Sequence, residues 1–86
     1  MATVEEVRTA IAQAVSKAND SINALQQAAD LATDAQALLS QTTQGSGQSE
    51  VEQANAHFAE VANGVTDLQN QLRAGINQAE SYNSGL

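Results

Sequence analysis

The chain has 86 residues, ten of them Asp or Glu against three Lys or Arg and one His, for a formal net charge of −7, and it contains no cysteine, proline or tryptophan. That is one domain near the lower limit of independent folding, with no disulfide framework, thiol nucleophile or Cys-ligated metal site. Arg8, Lys17 and Arg73 are too few to neutralise a nucleic-acid backbone or an anionic membrane surface, and Phe58 and Tyr82 are too few to stack bases.

Helix 1 is predicted to begin at a capping box. The Thr3 hydroxyl can take the backbone N–H of Glu6, and the Glu6 side chain can reach back to the N–H of Thr3. Glu5 and Glu6 also place negative charge at the positive end of the helix dipole. The acidic start has no apolar segment of the signal-peptide kind, and no apolar run approaches the length of a membrane span. The expectation is a cytoplasmic protein, or one exported without a cleavable signal peptide, with no membrane insertion.

From Val4 the apolar residues recur every seven positions: Val4, Ile11, Ala18, Leu25, Ala32 and Leu39. A companion row three residues on reads Val7, Ala14, Ser21, Ala28 and Ala35. The two rows predict one seam on a helix over about 4–41, roughly 55 Å long at 1.5 Å per residue. Val15 and Ile22 widen this strip on one side and Leu31 and Leu38 on the other. So broad a strip suits a bundle helix better than a two-stranded coiled coil. Its many alanines permit close approach of helix axes.

Gln41 to Gln48 reads as a turn, over about 42–48. Gly45, Ser46 and Gly47 supply residues that can end a helix and reverse the chain. Helix 2 is predicted over about 49–83, from a second capping box of Ser49 and Glu52. Its sevenfold row is Val51, Phe58, Val65, Leu72, Ala79 and Leu86, with a companion row of Ala54, Val61, Leu68, Gly75 and Tyr82. Ile76 lies beside that row.

The predicted fold is therefore all-α: an antiparallel two-helix hairpin, coiled-coil-like, that completes a four-helix bundle by dimerising. The core would be built from Val4, Val7, Ile11, Leu25, Leu39, Phe58, Val61, Val65, Leu68 and Leu72. The oligomer interface would be built from Val15, Ile22, Leu31, Leu38 and Ile76, which a lone hairpin leaves half exposed. Gln and Asn on the outer faces, including seven asparagines, make few intrahelical ion pairs, so packing must supply the stability.

Chemistry is sparse. His57 and Glu60 are spaced i, i+3, with Glu50 two turns before the histidine, but carboxylate metal sites in bundles use a Glu-x-x-His order and several inward carboxylates. No serine has a placed base, and Gly45-Ser46-Gly47 lacks the lysine of a phosphate loop. The expectation is no enzyme, no catalytic residue, no metal and no cofactor.

A short, acidic, cysteine-free helical hairpin with glycine at the bend, here Gln44-Gly45-Ser46-Gly47, resembles the WXG-type substrates of type VII (ESX) secretion. The Trp-x-Gly of that family is absent. Its export signal, a Tyr followed four residues later by an acid, has its counterpart in Tyr82 with Leu86 at the acidic position. The resemblance implies a recognition tail at Tyr82 and Leu86. It also implies a role as secretion substrate, chaperone or targeting partner, acting by pairing with itself or a related hairpin, or with a larger secreted toxin or secretion component. The alternative is structural: a filament of stacked hairpins whose uncharged Gln and Asn faces pack laterally without repulsion.

Overall fold

The computed structural model describes residues 2–42 and 48–86. Two helices account for nearly all of them: α1 (Val4–Thr42) and α2 (Ser49–Ser84). They fold back antiparallel, as two hydrogen bonds between them establish. The Asn55 Nδ2 donates to Ser40 Oγ at 2.9 Å near one end of the hairpin, and the Gln69 Nε2 donates to the Ile22 carbonyl at 2.9 Å near its middle. Residues at the same level therefore have numbers that sum to roughly 95. The expected turn residues Gly45, Ser46 and Gly47 lie outside the described residues.

The hairpin is a rod measuring 63 × 18 × 14 Å, with a radius of gyration of 19.4 Å. A compact globule of this length would have a radius of about 12 Å. Among the described residues only Val65 and Gln69 are buried in this thin rod.

The two predicted caps differ in outcome. Thr3 caps α1 as expected, its Oγ1 accepting the Glu6 N–H at 3.1 Å, and its carbonyl accepts the Val7 N–H at 2.9 Å. At α2, Ser49 is already the first helical residue. Gln48 occupies the N-cap with extended backbone and makes no side-chain cap bond, while its carbonyl takes the N–H groups of Val51 and Glu52. The Ser49–Glu52 capping box is thus corrected. The helix starts one position early, which places the serine inside it and out of the cap position.

The seam holds the larger surprise. The first row on each helix faces inward as expected, with Ile11, Ala18, Leu25, Ala32 and Leu39 against Val51, Phe58, Val65, Leu72 and Ala79 half-buried or better; Val4, at the end of the rod, is half exposed. The second inward row, however, lies four residues on from the first. It consists of Val15, Ile22, Ala29 and Gln36 on α1 and Asn55, Ala62, Gln69, Ile76 and Asn83 on α2. Val15, Ile22 and Ile76, expected at an oligomer interface, belong to the seam between the two helices. Val61 and Leu68, expected in the core, are 49% and 51% exposed, and Tyr82, in the same companion row, is 61% exposed.

Candidate interaction face

The inward rows leave one broad face of the hairpin apolar. Between the helices on that face lies an open groove of about 850 Å³, whose floor includes Ala14, Ala18, Ser21, Gly75 and Ala79, with Leu68 at one side. Seven-residue steps along a helix return to nearly the same face. Leu31 and Leu38 continue the row of Ala24, which also lines the groove; Val61 continues the row of Leu68, and Tyr82 that of Gly75. Leu31 and Leu38 are 68% and 64% exposed. Every large apolar side chain exposed along the described rod, apart from Val4 and Leu86 near its open end, therefore lies on this face.

Why the hairpin packs this way follows from a conflict between its two helices. In an antiparallel pair the corresponding rows of both helices turn to the same side. Helix α1 gains by burying Val15 and Ile22 in place of Ala14 and Ser21. Helix α2 would gain by burying Val61, Leu68 and Tyr82 in place of Asn55, Ala62, Gln69 and Asn83. Both preferences cannot be met by one partner helix. The observed packing favours α1, and α2 turns its amides inward and its larger apolar side chains out.

The inward amides are only partly satisfied. Gln69 is 6% exposed, and its Nε2 reaches both the Ile22 carbonyl and, at 3.3 Å, the Gln26 Oε1. Asn55 donates to Ser40, but its own Oδ1 is buried with no partner, as is the Oδ1 of Asn83. The three amides of α2 recur every fourteen residues and form polar rungs through a largely apolar seam.

Charge is segregated from the apolar face. On a helical projection of the observed seam, Glu6, Asp20, Asp34, Glu60 and Asp67 fall on the outer edges of the rod, and Glu5, Asp30, Glu52 and Glu80 on the opposite broad face. Lys17 and Glu50 are the formally charged residues on the side of the groove, and they are opposite in sign.

The remaining candidates do not come together. His57 Nδ1 and Glu60 Oε2 are 3.9 Å apart, with both side chains more than three-quarters exposed. Among the described residues no group of three or more His, Asp or Glu side chains could hold a metal ion. Tyr82 and Leu86 are both exposed near the open end of the rod. No helix of the described residues is long and apolar enough to cross a membrane.

These features define an all-α helical hairpin with one apolar broad face. No protein-family model, curated protein or solved structure matches the chain.

Proposed function

We propose that this protein is a non-enzymatic interaction module that lays the apolar face of its hairpin against another helical surface, its own or that of a related hairpin. The observation that carries the reading is the gathering of Leu31, Leu38, Val61, Leu68 and Tyr82 on one face while nine of the ten acidic residues occupy the others. Contiguous apolar patches beyond a few hundred Å² mark interaction sites on soluble proteins.

Its test is a paired capture from the native cell, with the wild-type chain and a Leu31→Gln/Leu68→Gln variant as baits. Both positions are exposed in the hairpin, so the variant keeps its fold. The wild type should retain a helical partner that the variant loses. Retention of the same proteins by both baits overturns the reading.

The finer version is a type VII secretion-associated substrate, chaperone or targeting partner, with Tyr82 and Leu86 as an exposed recognition tail. It is supported by the short acidic hairpin form and by the tyrosine near the end of the chain. A larger secreted toxin or secretion component is then the further partner. In a strain lacking its type VII machinery the protein should be lost from the medium and accumulate in cells. Unchanged partition between the two fractions sinks this version.

A further inference from the structure

We propose that the surface covering this apolar face is the same face of a second copy of the chain, packed with the two turns at opposite ends of a four-helix bundle. The inference rests on the interaction-module reading above and specifies its partner and geometry.

Area gives the first argument. The hairpin exposes 6249 Å². A compact monomer of its mass would expose about 4,800 Å², so the rod carries an excess of about 1,400 Å². A standard stable interface covers about 800 Å² per partner, which the excess accommodates.

Charge gives the second. Two hairpins meeting through this face turn nine of their ten acidic residues each toward solvent, on the outer edges and the far faces. The net charge of −7 on each chain therefore does not oppose the contact at close range.

The distribution of side-chain volume along the rod gives the third, and it selects the orientation. The groove floor of Ala14, Ala18, Ser21, Gly75 and Ala79 lies in the half toward the open end. Leu31, Leu38 and Val61 stand in the half toward the turn. Two copies with their turns together would set floor against floor and leave a void. A two-fold axis across the rod at Leu68 does the reverse. It sets each copy's Val61 at the level of the other's Gly75, and Tyr82 at the level of Ala54, because these positions are symmetric in sequence about residue 68. It also brings Leu31 and Leu38 over the stretch of α1 that carries Ala14 and Ala18. Such an interface is isologous and closes at two copies.

Gly75 explains itself in this arrangement. A Cβ at that position meets nothing within 4 Å in the single hairpin, so the hairpin itself has no steric need for glycine there. A glycine in a helix interior is unfavourable, and here it leaves room for the partner's Val61.

The test uses the full chain, which has no cysteine to interfere with site-specific labelling. Sedimentation equilibrium at micromolar concentration should give twice the chain mass. Spin labels on Gln13→Cys and Gln27→Cys, both on the outer edge of α1, should then report inter-label distances of about 40 Å and under about 20 Å respectively. Equal distances at the two sites would mean turns at the same end and overturn the orientation. Gly75→Leu should leave helicity and cooperative unfolding intact while weakening dimerisation about tenfold to a hundredfold. Dimerisation unaffected by Gly75→Leu overturns the interface. A folded wild-type monomer, or growth into polymers, overturns the second copy as partner. If that monomer still captures a foreign helical protein through Leu31 and Leu68, the interaction-module reading stands without this inference.

Discussion

Gln69→Glu is expected to destabilise the hairpin by about 2–4 kcal/mol at pH 7 and by far less near pH 4. Gln69 is 6% exposed, and its amide hydrogens go to the Ile22 carbonyl and the Gln26 side-chain oxygen. An ionised glutamate there has no hydrogen to donate and would face those two oxygens without water. Desolvation and the facing oxygens favour the protonated acid, so the folded-state pKa of the introduced group lies above its unfolded value of about 4.3. The penalty is accordingly absent below the unfolded pKa, and stability falls as pH rises toward and through the folded pKa. Urea unfolding of wild type and variant at pH 4 and pH 7 measures this. An equal difference between the two proteins at both pH values would show that the site is wet. Gln69→Leu, by contrast, should cost little, since it removes the polar group along with its need for partners.

Leu72→Ala is expected to cost about 2–3 kcal/mol, a large part of the roughly 4–13 kcal/mol available to a chain of this length. Leu72 stands in the inward row of α2 and forms part of the groove wall. Leu68, one turn earlier, is 51% exposed, and Leu68→Ala should cost under about 1 kcal/mol in dilute solution, where the hairpin is alone. Chemical denaturation at nanomolar concentration separates the two. Equal costs would mean that Leu68 sits in the seam after all.

That contrast marks where the sequence was legible. The row shared by every reading, from Ile11 to Leu39 and from Val51 to Ala79, repeats at seven and has no competitor, so both helices and their antiparallel pairing could be read from it. The neighbouring rows could not be ranked in the same way. On α1 the apolar strip runs from Leu31 through Ala28 and Leu25 to Ile22, wider than one helix can cover. On α2 the row of Val61 and Leu68 is more apolar than the row of Asn55 and Gln69, so single-helix reasoning buries the wrong one. The choice depends on both helices at once. Val15 and Ile22 outweigh Ala14 and Ser21, and Gln69 becomes tolerable once it reaches Ile22 and Gln26 across the seam. The interaction face is half visible in the sequence for the same reason: the flanking positions of Leu31 and Leu38 point to an interface, while the companion row of Val61 and Leu68 reads as core. The cap at Ser49 missed by one residue because a serine followed three positions later by glutamate fits equally well just inside a helix.

The thinness of the rod has a mechanical consequence. Each level of the hairpin touches only the levels next to it, so cohesion is distributed along one dimension rather than held in a central core. The start of α1 and the end of α2 lie at the same end, with Thr3 and Asn83 both far from the turn. Tension applied to the two chain ends would therefore peel the helices apart level by level, loading one pair of side chains at a time, instead of shearing all of them together. Peeling from that end would meet the amide of Asn83 first, with its unsatisfied oxygen, and the hydrogen-bonded Gln69 only near the middle. The open end is thus the compliant end, and Gln69 is the first latch that a pull would have to release.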